Sequence, residues 1–257
     1  MKILVIGHSH VDCVSAAWRA LAPEFARRGL AITTLQMRDE RFHTDPSNDD
    51  AGVGERLRDS IALQARGCDA SVMMLGGIAQ NSFGLFEHPQ PLDFVLDEEP
   101  GLAVDPERQL VPSALLAGHL ARSPFFAGPA AQRRRLLPLL PPVLGQTDAP
   151  PPIADTAALQ ALLLDAQRRS ERARHGMAPA LLRYKAWRLH GRLLAQDCRA
   201  AGLPFLPVPA AVQDPRGFLV PEAWGADAIH ANAWYGRQLI EQMLALAEAR
   251  HRHALAA

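Results

Sequence analysis

The sequence predicts an α/β protein, a three-layer α/β/α sandwich around a central parallel sheet. Three runs of residues carry that prediction. Lys2 to Ile6 is a short apolar run with Ile3, Val5 and Ile6, the pattern of a strand buried on both faces. Ala31 to Met37, with Ile32 and Leu35 apolar, reads as the second strand, and Ala70 to Leu75, with the apolar run Ser71-Val72-Met73-Met74-Leu75, as the third. Each is followed by residues at helical spacing, and β-then-α units in a row imply parallel strands joined by right-handed crossovers. With 257 residues, 48% of them apolar, the chain can bury one large core, so residues 1–257 are read as a single domain.

Taken in order, the first strand stops at Gly7, and His8, Ser9 and His10 occupy the turn after it. Val11, Val14, Ala17, Trp18 and Leu21 then set a helix over roughly 10–28, capped by Gly29. Such a turn lies at the carboxyl end of the sheet, where open α/β folds bind ligands. Arg38 to Gly54 is polar and Asp-rich, and reads as a long loop at the same edge. Glu55 to Arg66 is an amphipathic helix through Leu57, Ile61 and Leu63, and Gly67 closes it. The third strand ends in Gly76-Gly77. From Phe86 to Leu144, prolines at 89, 91, 100, 106, 112, 124, 129 and 138 leave room only for short helices, near 113–121 and 130–140. Residues 86–152 are therefore expected to form an inserted cap over the sheet edge, ending in the stiff Pro150-Pro151-Pro152. Beyond it the spacing predicts one helix from Asp155 to about Arg174 and another from Ala180 to Ala201. A fourth strand is expected at Leu203–Val208, a loop at Pro209–Gly225 and a last helix from Trp234 to about Arg252.

Composition removes several classes of function. Lys plus Arg number 27 and Asp plus Glu number 27, so no global field favours nucleic acid or an acidic membrane. The Arg133-Arg134-Arg135 run reads as a solvated helix face. Cys13, Cys68 and Cys198 are scattered and odd in number, which argues against a disulfide framework and fits a reducing compartment. No run approaches a membrane span, and no basic leader with a long apolar stretch opens the chain. A soluble cytoplasmic protein is expected, with no nucleic-acid or membrane partner and no cofactor.

Three groups of residues carry chemistry. Ser9 sits at a strand-to-helix turn, where its N–H faces outward near the positive end of the helix; a hydroxyl there becomes a nucleophile if a base takes its proton. Its plainer role would be to cap the helix. Asp227-Ala228-Ile229-His230 places a carboxylate three residues before an imidazole, in a loop entering the last helix. That spacing lets Asp227 hold Nδ1 while Nε2 points outward, the base-and-orienter half of a Ser-His-Asp triad. Gly76-Gly77-Ile78-Ala79-Gln80-Asn81 offers glycines that permit close approach and an amide able to donate to an oxyanion; otherwise Asn81 caps a short helix.

In this order the three groups resemble the SGNH (GDSL-like) hydrolase superfamily over most of the chain outside the cap. The G-D-S turn of that family corresponds to Gly7-His8-Ser9, with His8 in place of the Asp. Its DxxH corresponds to Asp227 and His230, and its H-x-N-x-x-G continuation to His230-Ala231-Asn232-Ala233-Trp234-Tyr235-Gly236. The resemblance implies a flavodoxin-like fold and a serine esterase or acyltransferase acting on an acyl ester, on a small molecule or a glycan, with Ser9, Asp227 and His230 catalytic. It also implies an oxyanion hole built from the N–H of Ser9, a glycine N–H after the second strand (Gly54 or Gly52) and an Asn side chain after the third. The third block departs from the usual G-x-N-D, putting Ile78 where the Asn belongs, and Asn81 one helical turn later is the expected substitute.

Two other readings compete. His8-Ser9-His10-Val11-Asp12 is H-x-H-x-D, a spacing used by metal-dependent hydrolases, with His43, Asp45, His88 or His230 as further ligands. The second is an inert binding protein on the same fold, for which Ile78 is the best argument. A nucleotide site is disfavoured because the first turn lacks G-x-G-x-x-G and P-loop spacing. Phe83, Phe86, Phe94, Phe125 and Phe126 either shape an acyl pocket or form the cap's own core.

Overall fold

The computed structural model describes residues 1–256. The first strand, β1 (Lys2–Gly7), leads into α1 (Val11–Arg27), then β2 (Ala31–Gln36), the single-turn α2 (Glu40–His43), α3 (Glu55–Ala65) and β3 (Ala70–Met74). A short α4 (Asn81–Gly84) precedes the cap, which holds β4 (Leu92–Asp93), β5 (Gln109–Leu110), α5 (Ser113–Arg122) and α6 (Pro124–Leu136). The chain returns through β6 (Val143–Thr147), α7 (Thr156–Ala161), α8 (Asp165–Arg168), α9 (Ala180–Ala200), β7 (Phe205–Leu206) and α10 (Ala233–Ala256).

The central sheet has five strands in the order β2-β1-β3-β6-β7, every pairing parallel, and helices cover both faces. It is the three-layer α/β/α sandwich expected from the alternation of apolar runs and helical spacing. Side chains of β1 alternate between two cores. Ile3 and Val5 pack with Val14 of α1 and Leu239 and Ile240 of α10, while Leu4 and Ile6 pack with Leu57 and Ile61 of α3 and Leu136 of α6. Chain order reverses direction across the sheet between β1 and β3, which makes the crevice at their carboxyl ends the topological switch point. Gly7 closes the two strands together there. A Cβ on it would stand 2.2 Å from the carbonyl oxygen of Met74, so only glycine fits.

Three expectations need correction. The strand β6 lies inside the stretch 86–152 read as cap, so the cap proper ends before it. The strand was hidden because Pro141 and Pro142 precede it and Gly145 and Gln146 interrupt its apolar pattern; Gly145 is required because a Cβ would meet the Leu206 side chain of β7 at 2.5 Å. The strand at 203–208 is consequently the fifth, and only Phe205 and Leu206 pair. The helix expected from Asp155 to Arg174 is broken into α7, α8 and a 3-10 turn at Glu171–His175. Asp155 caps α7 by accepting from Ala157 and Ala158, but Leu163 turns into the core, and the chain restarts at Leu164, whose N–H is taken by Gln167. Among the described residues no helix is long and apolar enough to cross a membrane.

Candidate active site

The turn after β1 is fixed before any side chain is considered. The His8 N–H donates to the Met74 carbonyl of β3, and Val11 and Asp12 donate back to His8 and Ser9 to start α1. The helix takes His10 as its cap residue, with no side-chain capping bond, so the Ser9 hydroxyl is not used for capping. It is bonded instead to His230 Nε2, at 2.7 Å.

His230 is held by its own loop. Asp227 Oδ1 accepts from the backbone N–H of Ile229 and of His230, each at 2.8 Å, and Asp227 Oδ2 meets His230 Nδ1 at 2.8 Å. Asn232 then ties the loop to α10. Its Oδ1 accepts from the N–H groups of Trp234 and Tyr235, and its Nδ2 donates to the carbonyls of Glu222 and Trp224. Gly236, the last residue of that motif, lets α10 approach α1, since a Cβ would lie 2.0 Å from the carbonyl oxygen of Cys13. A carboxylate beside Nδ1 assigns the proton to that nitrogen and leaves Nε2 as the acceptor of the Ser9 O–H. Burial pushes the Asp227 carboxyl up, but the bonds from His230 and the two backbone N–H groups outweigh it, so it stays below the usual carboxylate value. A hydroxyl joined through imidazole to an ionised carboxylate can pass its proton to the ring as it attacks an electrophile.

No family model matches the chain, and no curated protein does. Solved structures similar to this chain include ester hydrolases. One is a GDSL-like lipase from Bacteroides thetaiotaomicron VPI-5482, at 12% identity, covering 98% of this chain and 88% of that one with a TM-score of 0.43. Another is a catalytic mutant of Axe2, an acetylxylan esterase from Geobacillus stearothermophilus, at 13% identity, covering 95% and 93% with a TM-score of 0.42. A third is LAE5, an α/β hydrolase from the metagenome of Lake Arreo, at 16% identity, covering 95% and 94% with a TM-score of 0.42. The likeness is one of chain arrangement, at identities where residue roles do not transfer.

Ser9 opens on a cleft of about 220 Å³ between the sheet edge, the loop after β2 and helix α6 of the cap. Its wall includes Gly52 but not Gly54, and Ile78 but not Asn81. Gly54 packs instead against the side chains of Asp45 and Asn48, and Asn81 lines a separate cavity with Trp187, Ala228 and Ile229. Neither of the two expected oxyanion donors other than Ser9 lines this cleft. Gly52 cannot replace Gly54 as a donor, because its N–H is bonded to the Asp49 carbonyl at 2.8 Å. Of the cap aromatics only Phe125 lines the cleft; Phe83, Phe94 and Phe126 belong to the cap's own core and Phe86 to the main one. Phe42 and Arg38, from the loop after β2, complete the opposite wall.

The H-x-H-x-D residues do not converge on one ion. His8 Nδ1 accepts from the Gly76 N–H at 3.3 Å and its Nε2 meets Gln132 Oε1 at 2.8 Å. His10 is buried against Gly77, its ring centroid 5.2 Å from that of His230. Asp12 accepts from Gln36 on another face of the turn. Burial keeps both imidazoles neutral, lowering His8 to about 4 and His10 to about 3. Of the further candidates, Asp45 is occupied by Ser47 and Arg56, His88 bonds the backbone of Gln90, and only His43 faces the cleft.

Proposed function

We propose that this protein is a serine hydrolase that cleaves acyl esters, with Ser9 as nucleophile, His230 as base and Asp227 as its orienter. The observation that carries the reading is the unbroken chain from Ser9 Oγ through His230 to Asp227, with bonds of 2.7 and 2.8 Å. Residues more than two hundred positions apart meet at the sheet's switch point, in a turn whose backbone already satisfies helix α1. Ser9 Oγ attacks the acyl carbonyl while its proton passes to His230 Nε2. The tetrahedral intermediate collapses, the C–O bond to the alcohol breaks, and His230 returns the proton to the departing oxygen. Water then attacks the acyl-enzyme with His230 again taking the proton, and the acid and free Ser9 are released. Asp227 stays ionised and steadies the imidazolium in both halves. The substrate class is the acyl ester of a small molecule or a glycan, which suits an open cleft walled by both Phe42 and Arg38.

A fluorophosphonate probe with peptide mass spectrometry tests the reading. Covalent modification of Ser9, lost in His230→Ala, is the expected result. An unmodified Ser9 in the native protein, or modification indifferent to His230, would refute it.

A further inference from the structure

We propose that Gln132, brought into the cleft by helix α6 of the cap, supplies the side-chain N–H of the oxyanion hole, and that His8 aims it. The inference rests on the Ser9 reading above and names the donor that reading lacks. Acyl transfer needs preorganised donors where the carbonyl oxygen becomes an anion. The Ser9 N–H is one, since it has no acceptor among the described residues. The position after β3 holds the apolar Ile78, Asn81 faces another cavity, and the Gly52 N–H is already spent on Asp49.

Gln132 lines the same cleft as Ser9, and its orientation is set by a chain of two hydrogen bonds. The Gly76 N–H donates to His8 Nδ1. A neutral imidazole has a single N–H, so its proton is on Nε2, which donates to Gln132 Oε1. The amide oxygen of Gln132 is thereby fixed toward His8, and its NH2 group must point away. Nε2 lies 3.8 Å from where a Cβ on Gly52 would stand, at the loop after β2. It makes no hydrogen bond among the described residues, which leaves its N–H groups free for a ligand. The helix is held still by the next residue. Arg133 is 1% exposed, pairs with Asp197 and extends its Nε toward Gln146 of β6. In this arrangement His8 is a positioning residue, since its Nε2–H fixes the Gln132 amide oxygen.

The test uses the full chain, with turnover of p-nitrophenyl acetate and the rate of Ser9 phosphonylation as parallel readouts, because both reactions develop negative charge on an oxygen. Gln132→Ala is expected to lower kcat by about 10²–10³ with little change in KM. Gln132→Glu keeps the acceptor for His8 and has no N–H, so it should fall at least as far, with a melting temperature near that of the native protein. His8→Ala should lower kcat less, and adding Gln132→Ala to it should cost far less than in the native background. If Ser9→Ala and His230→Ala abolish both readouts while Gln132→Ala and Gln132→Glu stay within about threefold of native kcat, this proposal alone is overturned. Additive losses in the double variant would overturn the role of His8. A native protein that neither turns over nor is phosphonylated overturns the donor and the nucleophile together.

Discussion

Gly225 is far from the reacting atoms in sequence logic, yet its replacement should disable the site. The loop carrying the imidazole folds back so tightly that a Cβ on Gly225 would stand 2.1 Å from the carbonyl oxygen of His230 and 2.9 Å from its carbonyl carbon. A relaxed carbon-to-oxygen contact is about 3.3 Å, so Gly225→Ala must move the His230 backbone by about 1 Å. The obstacle is backbone, and no rotamer change can absorb it. His230 cannot shift freely either, because its N–H is bonded to Asp227 and the neighbouring Trp224–Ala231 bridge closes the loop. A displacement of that size opens the 2.7 Å bond to Ser9 beyond productive range, and misplacement by about 1 Å is worth about 10² in rate. The strain should also cost about 1–3 kcal/mol of stability, as overpacking generally does. The assay is kcat for an aryl acetate together with thermal unfolding, with Gly101→Ala as the control, since a Cβ there meets nothing within 4 Å. Native kcat and native melting temperature in Gly225→Ala would refute the claim that this close approach sets the imidazole.

Asp227→Asn preserves the shape of the loop but allows the wrong imidazole tautomer, and kcat should fall by about 10³–10⁴ with folding retained, as checked by circular dichroism. Asn232→Ala removes the cap of α10 and two bonds to the carbonyls of Glu222 and Trp224, so denaturant unfolding should show a loss of about 1–2 kcal/mol, with kcat reduced because His230 is two residues away. Asp148 gives a pH signature. Burial pushes its carboxyl up to about 7, against the bond from Ala149 and the nearby Arg188. The native state thus holds a proton that the unfolded chain releases near the ordinary carboxylate value. Stability falls as pH rises between those values and is flat above them. Asp148→Asn should therefore be more stable than the native protein by about 4 kcal/mol at pH 8, with the difference vanishing near pH 4. A difference independent of pH would refute the assignment.

What could be read from the residues alone follows from how locally each feature is determined. Strands β1 and β3 are apolar runs closed by glycine and buried on both faces, which leaves few alternatives, while β2 is marked only by Ile32 and Leu35, its two buried positions. The DxxH loop is legible because Asp227 organises it through its own neighbours, Ile229 and His230, and Asn232 and Gly236 continue the register into α10. Strand β6 was not legible, because its place is set by Ser71 and Val72 across the sheet rather than by its own pattern, and the ladder shifts register there.

The oxyanion donors were the least legible part. Asn81 is the substitute that spacing offers, but α4 starts at that residue, which lines the cavity shared with Gly77, Ala228 and Ile229 rather than the cleft of Ser9. Gln132 carries no local signal at all. It precedes three arginines that read as a solvated face, although Arg133 is in fact buried and clamps the helix. Its relevance comes from a helix contributed by the cap and from the tautomer of an imidazole set by a backbone N–H of Gly76, a dependence that spans three separate segments. Backbone spacing can announce where a base and its carboxylate will meet, since they are three residues apart. A donor aimed through another side chain leaves no such spacing, so the cap here is part of the chemistry and not only a cover over it.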